Sequence, residues 1–235
     1  FATGKSELAE SVKFGIVASL PHPQISYDKV NYSKKPYASQ PYHTITYCEC
    51  HDNHCLHDRI DLSCPEASEK DKKKMYKLAL SIVLTSQGIS FLHAGTEFMR
   101  TKKGVENSFE SPDSINAIDW DLKSINKDVY EYVKTLILIR KQHPAFRMMT
   151  AKQIADNIQF EKTDEGVITY TINGAAVGDK WKKIKVCLNG TSGQPKVELG
   201  GEMWKTAVLN NETFNNIPVS GKFYVWPYSC SIFYQ

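Results

Sequence analysis

The sequence lacks any uninterrupted apolar run near the ~20 residues that a membrane-spanning helix needs, so we expect no membrane partner. No signal peptide is visible either. The chain begins at Phe1 rather than at Met and enters a predicted helix almost at once. We therefore expect that part of the natural protein precedes this sequence.

Cysteine is scarce, with six residues in a chain of 235. The number is even, but this density is too low for a small secreted domain held together by disulfides. We expect free thiols packed as small apolar side chains. Unpaired thiols favour a reducing, intracellular compartment, although no targeting segment identifies the compartment itself.

A strong excess of charge of either sign is also missing, since the formal net charge is only +3. The lysines form two local runs, DKKK at 71–74 and KWKKIK at 180–185. Neither run alternates with exposed aromatic residues as a nucleic-acid surface would. We predict that both runs are solvated faces and that nucleic acid is not a partner.

The first 143 residues show alternating strand and helix patterns. Helices are predicted at 6–18, 68–87 and about 127–142, and strands at 44–50 and 89–94. Ser68 and Asp71 form a capping pair at the start of the second helix. The apolar run 89–94 predicts a strand buried on both faces, as in a parallel sheet. This alternation is typical of an α/β fold.

The period changes after Pro144. Short strands separated by Gly, Asn and Pro are predicted at 166–173, 183–189, 203–209, 222–226 and 228–234. This pattern indicates an all-β domain, which we predict to be an antiparallel β-sandwich. The boundary between the two domains is placed near 144–150.

The segment CECHDNHCLHDRIDLSC, residues 48–64, concentrates side chains that could bind a metal. Candidate ligands by type are Cys48, Cys50, His51, His54, Cys55, His57 and Cys64. The spacing is poor for structural zinc, because a C-x-C pair inside a strand is not a zinc knuckle. We therefore predict no metal site and favour the alternative, a polar strand end.

Polar residues at the carboxyl ends of parallel strands are where α/β enzymes place their chemistry. The strand 44–50 leads to His51, Asp52 and Asn53, and the strand 89–94 leads to Glu97 and Arg100. Consecutive parallel strands are usually neighbours, so Asp52 and Glu97 could face one cleft.

Two segments carry a family resemblance. TITYCECHDNHCLHDRI resembles a strand-end motif of the α-amylase superfamily of glycoside hydrolases, and FLHAGTEFMRTKKGVENSFESPDSINAIDW resembles type I pullulanases, the starch-debranching enzymes. The resemblance implies that residues 1–143 are the C-terminal portion of a catalytic (β/α)8 barrel, holding its last two strand–helix units. It implies that residues 144–235 are a C-terminal β-sandwich.

The resemblance also implies roles for individual residues. Asp52 matches the family's third acidic residue, which stabilises the oxocarbenium-like transition state without attacking the sugar. His51 matches a histidine that hydrogen-bonds hydroxyls of the same sugar. The further substrate-binding positions that match are Asn53, Arg100, Asn107, Asp113 and Asn116. Glu97 matches a structural position in the loop after the strand.

The sequence departs from the family because motifs of the GFRFD and GE type, which hold the nucleophile and the general acid, do not occur in residues 1–143. The implied activity is cleavage of α-1,6 linkages in pullulan, starch or glycogen-derived glucans by a retaining mechanism. We expect this chain alone to be inactive. It should associate with the missing part of its own protein or with itself. No cofactor is required, and calcium is left open. The alternative is a non-catalytic carbohydrate-binding module.

Overall fold

The computed structural model describes residues 1–213 and 216–235. A helix-rich part with one short parallel strand pair is followed by a curled antiparallel sheet. The helices are α1 (Ala9–Ile16), α2 (Leu56–Ser63), α3 (Glu69–Thr85), α4 (Asp113–Asn116), α5 (Asp121–Ile125), α6 (Lys127–Gln142) and α7 (Ala151–Asn157). Among these described residues, no helix combines the length and apolarity needed to cross a membrane.

The strands divide into two sheets. Strands β1 (Ile45–Thr46) and β2 (Ile89–Ser90) pair in parallel. The second sheet contains β3 (Ile158–Phe160), β4 (Val167–Ile172), β5 (Ile184–Asn189), β6 (Lys196–Leu209), β7 (Glu212–Thr213), β8 (Pro218–Tyr224) and β9 (Ser229–Tyr234). All of its described pairings are antiparallel.

Helix α3 confirms the predicted helix over 68–87 with slightly shorter bounds. The Ser68 hydroxyl caps it by accepting the Asp71 main-chain N–H at 3.2 Å. Met75, Tyr76 and Leu78 are buried along its apolar face. The helix packs against α6 and β9, and it thereby connects the helical part to the curled sheet.

Ser68→Ala should lower the free energy of unfolding by about 1 kcal/mol, because it leaves a helix N–H without its capping acceptor. Urea denaturation followed by circular dichroism measures the effect. Ser63→Ala is the control, since Ser63 lies exposed in the last turn of α2 and should change stability by less than about 0.5 kcal/mol. Equal effects from both substitutions would contradict the capping role.

The parallel pair is shorter than predicted. Only Ile45 with Ile89 and Thr46 with Ser90 are in register as strand residues. The prediction that 89–94 is buried on both faces is wrong for this chain, because Ile89 and Phe91 are 48% and 41% exposed. Each strand has one strand partner among the described residues, so the outer edge of each strand is open, and the face that carries Ile89 and Phe91 is exposed.

The prediction of short antiparallel strands after Pro144 is confirmed, but the strands form one curled sheet. Strand β6 pairs with both β8 and β9, which joins what would otherwise be two layers. Register shifts near Gly200 and Thr206 accompany the curl. Trp204 is buried inside the curl against Val197, Leu199 and Phe233. The opposite face of the sheet joins the core formed with α1, α3 and α6.

Buried polar contacts connect the helical part to the segment that enters the curled sheet. The Arg140 guanidinium, on α6, donates to the carbonyls of Ser86 at 2.5 Å, Gly88 at 2.6 Å, Phe146 at 2.8 Å and Leu84 at 3.2 Å. The buried Asp179 carboxylate accepts the His143 ring N–H at 2.7 Å and the Ala145 main-chain N–H at 3.0 Å. These contacts fix the start of β2 relative to the segment after α6.

Candidate functional site

The loop after β1 presents two polar side chains to solvent. The side chains of His51 and Asp52 are 82% and 70% exposed, and His51 Nδ1 lies 3.6 Å from Asp52 Oδ1. Asn53 follows with a φ of 60°, in the left-handed region that Asn tolerates better than most residues. The chain therefore turns sharply immediately after Asp52.

A buried carboxylate, Glu49, ties this loop to the loop after β2. It accepts hydrogen bonds from the Leu56 main-chain N–H at the start of α2 and from the Thr96 hydroxyl. Burial raises the pKa of Glu49 above its ordinary value, and the two hydrogen bonds partly oppose that effect. Glu49 was not selected as a site residue from the sequence, although it is the one charged residue within the predicted strand 44–50.

A buried ammonium, Lys102, holds the His51–Asn53 segment from beneath. Its Nζ donates to the carbonyls of Asn53 at 2.6 Å, Glu106 at 3.0 Å and His51 at 3.4 Å. Lys102 is 2% exposed. Lys102 was not predicted from the sequence, because lysine is normally a surface residue and this one lies in a charged TKK run.

The Asp58 carboxylate, at the start of α2, anchors the segment that carries Lys102. It accepts the Thr101 hydroxyl at 2.5 Å and the Lys102 main-chain N–H at 2.8 Å. Burial alone would raise the pKa of Asp58, but contacts with His57, Thr101 and the Lys102 main chain lower it to about 2. Helix α2 and both strand-end loops are thus one polar framework.

His57 has a place in that framework that the sequence did not explain. Its Nδ1 lies 3.6 Å from Asp58 Oδ1 and 3.7 Å from Asp61 Oδ2. The neighbouring Asp58 carboxylate raises the pKa of His57, against the opposing effect of burial.

The loop after β2 contains the remaining predicted site residues. Arg100 donates to the Asn116 carbonyl at 2.7 Å, and the Asn116 amide donates to the carbonyls of Ser108 at 2.6 Å and Ser111 at 2.8 Å. Arg100 and Asn116 are therefore brought together and hold the loop in shape. Asn107 and Asp113 lie exposed on the same loop.

The Glu97 carboxylate makes a local contact within the loop after β2. Its Oε2 accepts the Gly95 main-chain N–H at 3.0 Å, within a turn where Gly95 has a φ of 94°. This contact is a structural use of the carboxylate, in agreement with the role that the resemblance implies. Asp52 is left as the exposed carboxylate of the strand-end loop.

The cysteines and histidines of residues 48–64 do not form a cluster, since Cys55 is buried and His51 is exposed to solvent. Within residues 1–213 and 216–235, no three His, Cys, Asp or Glu side chains converge in the way a metal ion requires. Burial raises the pKa of the Cys48 thiol to about 12 and that of Cys55 to about 11, so both are neutral packing groups.

Comparisons with known proteins agree with this geometry. Residues 154–212 match the family model described as "Pullulanase, all-beta domain". The pullulanase of Bacillus subtilis strain 168 is 37% identical over 186 residues, which are 79% of this chain and 25% of that protein. This chain thus spans about a quarter of that relative's length.

Two solved structures extend the likeness to the whole chain. The pullulanase from Bacillus acidopullulyticus superimposes with a TM-score of 0.90 at 34% identity, covering 100% of this chain and 27% of that one. The type I pullulanase of Bacillus subtilis strain 168, solved with maltose, gives 0.91 at 31% identity, covering 99% and 32%.

The fold and the sequence define the class: this chain is related to the glycoside hydrolases that debranch starch. Within that class it belongs with the pullulanases and matches their C-terminal part. The resemblance seen in the two sequence motifs is confirmed.

Proposed function

We propose that this chain supplies the last two strand–helix units of a (β/α)8 barrel to an enzyme that cleaves α-1,6-glucosidic linkages in pullulan, starch or glycogen-derived glucans. The observation that supports the proposal most directly is the parallel register of β1 and β2. That register sends the His51–Asn53 loop and the loop after β2 toward the same edge, where barrel enzymes bind substrate. The proposed reaction, cleavage of α-1,6 linkages, is inferred from the similarity to pullulanases.

Asp52 is proposed to stabilise the positive charge of the transition state, and His51 to hydrogen-bond the same sugar. Asn53, Arg100, Asn107, Asp113 and Asn116 are proposed to bind or shape the neighbouring sugar positions. A retaining glycosidase also needs a nucleophile and an acid ~5 Å apart. With Glu97 engaged by Gly95, we assign both groups to sequence outside this chain. The mechanism uses carboxylates and water, so no cofactor is included.

Assaying the longest natural gene product on two substrates tests the proposal. We expect release of reducing ends from pullulan, and a much lower rate on unbranched α-1,4 amylose. The 235-residue chain alone should release none from either substrate. A gene product that degrades amylose and leaves pullulan intact would contradict the proposed linkage.

A second candidate function, glucan binding without catalysis, is favoured by two exposed aromatic side chains. Tyr224 and Trp226 are 57% and 52% exposed on either side of the buried Val225. Aromatic rings alternating with a buried residue point to one side of an extended segment. In native electrophoresis, slower migration of the 235-residue chain through a gel that contains glycogen would support this candidate. Trp226→Ala should abolish that retardation.

The uncovered face of the β1–β2 pair predicts association. Ile45, Tyr47, Ile89 and Phe91 are 60%, 53%, 48% and 41% exposed along adjacent strands. Open strand edges and apolar faces pair with other chains. We expect sedimentation velocity to show dimers or larger species of the isolated chain.

Phe91→Glu should shift that distribution toward monomer, because it places a charge on the proposed contact face. Leu62→Glu is the matched control, since Leu62 is 57% exposed on α2, away from the strand pair. A stable wild-type monomer without a partner polypeptide would count against the incomplete barrel.

A further inference from the structure

Lys102 is an unusual lysine because its ammonium is buried and its described hydrogen bonds all go to main-chain carbonyls. The three acceptors, on His51, Asn53 and Glu106, match the three N–H groups of an ammonium. Burying an ammonium is costly unless it is fully hydrogen-bonded. The Lys102 ammonium can therefore stay buried only while the carbonyls of His51, Asn53 and Glu106 keep their positions.

The contacts of Lys102 flank Asp52. Two of its acceptors are the carbonyls of the residues immediately before and after Asp52, and the third lies in the loop after β2. Among the described residues, no carboxylate lies within 4.0 Å of this ammonium, so its bonding is directed to the main chain. One side chain thus fixes the main-chain position from which the Asp52 carboxylate projects.

The Lys102 main chain is itself held. Asp58 on α2 accepts its N–H at 2.8 Å, and the preceding Thr101 donates to the same carboxylate at 2.5 Å. The ammonium is consequently presented from a fixed backbone. By contrast, Lys103 is exposed although it is the next residue in the chain.

We propose that Lys102 is a positioning residue that holds Asp52 in the orientation needed for transition-state stabilisation. The claim that Lys102 holds the loop is based on the three carbonyl contacts. The claim that this affects catalysis rests on the proposed function. Lys102 acts through the loop main chain. Misplacing a catalytic group by about 1 Å is enough to cost ~10²-fold in rate.

The structural part is tested on the 235-residue chain by ¹⁵N relaxation. In the wild type we expect order parameters near 0.85 at Asp52 and Asn53, typical of rigid backbone. Lys102→Met should lower them below about 0.6 while leaving α3 unchanged. Lys103→Met is the matched control and should leave all of them unchanged. Unchanged order at Asp52 in a folded Lys102→Met variant would overturn the inference.

The catalytic part is tested on the gene product that cleaves pullulan. Lys102→Met should lower kcat by about 10- to 100-fold because it releases Asp52, and it should also raise KM, because the same segment carries His51 and Asn53. Lys103→Met should stay within about twofold. Lys102→Arg should restore most of the activity, because a guanidinium can also donate to several carbonyls, as Arg140 does in this chain.

Three outcomes separate the two proposals. A gene product that is inactive on α-1,6 glucans refutes the proposed function and the catalytic role of Lys102. The ¹⁵N relaxation experiment then still tests whether Lys102 holds the His51–Asn53 segment in place. An active product whose kcat is unchanged by Lys102→Met overturns the positioning role. If Lys102→Met does not fold, Lys102→Gln replaces it. Activity of that variant equal to that of Lys102→Arg would then overturn the role.

Discussion

Asp52→Asn, introduced into the enzyme that contains this chain, should lower kcat on an α-1,6-branched glucan by about 10²-fold or more, with little change in KM. Asn keeps the shape of the side chain and can still hydrogen-bond a sugar hydroxyl. It removes the negative charge, whose interaction strengthens as the oxocarbenium develops. Steady-state kinetics over a range of glucan concentrations separates kcat from KM.

Two further substitutions sharpen this experiment. Glu97→Gln should have a mild effect, because that carboxylate is occupied by the Gly95 N–H. His51→Ala should raise KM as well as lower kcat, since it deletes a ground-state hydrogen bond to the sugar. If Asp52→Asn keeps a near-normal kcat while Glu97→Gln abolishes turnover, the two carboxylates have been assigned the wrong way round.

Asp58→Asn should reduce the free energy of unfolding by about 2 kcal/mol at pH 7. The ordinary pKa of the carboxyl is 3.8 and its folded pKa is about 2. A difference of one pKa unit corresponds to about 1.4 kcal/mol. The Thr101 hydroxyl and the Lys102 N–H donate to different oxygens of this carboxylate, and in Asn one of these oxygens is replaced by an NH2 group, so one of the two donors loses its acceptor.

The pH dependence of that loss has a definite sign. Because the folded pKa of Asp58 is depressed, its contribution is present above about pH 4 and disappears as the pH falls toward 2. The raised pKa of His57 adds stability that is present below its unfolded pKa of about 6.5 and is lost as the pH rises through the folded pKa. The difference between wild type and variant should therefore be largest near pH 5.

Urea denaturation at pH 7, 5 and 2.5 measures this profile. Asp61→Asn is the control, since Asp61 is on the same helix, also approaches His57 and is 40% exposed. It should cost less than about 1 kcal/mol. A constant difference between wild type and Asp58→Asn across the three pH values would show that the Asp58 charge does not stabilise the fold.

Local patterns in the sequence were enough to predict α3 and α6. An apolar stripe, a capping residue and a following proline are local features, and α6 spans the predicted 127–142. Helix α7 was not predicted, although the sequence contains its start signal. TAKQ at 150–153 is a capping box, and the structure confirms it. Attention to that pattern would have found the helix.

Other features depended on contacts distant in sequence. The burial of Glu49 and Lys102 depends on partners 47 and 49 residues away. Glutamate and lysine are normally exposed residues, so residue type alone predicted that both side chains would be exposed. The two motifs identified Asp52 and its loop through resemblance, but the side chains that hold the loop could be recognised only after folding brought them together.

The guanidinium of Arg140 limits how this molecule can be divided. The composition change near Pro144 suggests a place to cut the chain into two modules. A cut there would deprive a buried cation of the Phe146 carbonyl and would separate Asp179 from His143. It would also cross a single apolar interior that runs from Phe1 to Ile232. Excising the curled sheet would damage both pieces, so we expect the two parts to unfold together.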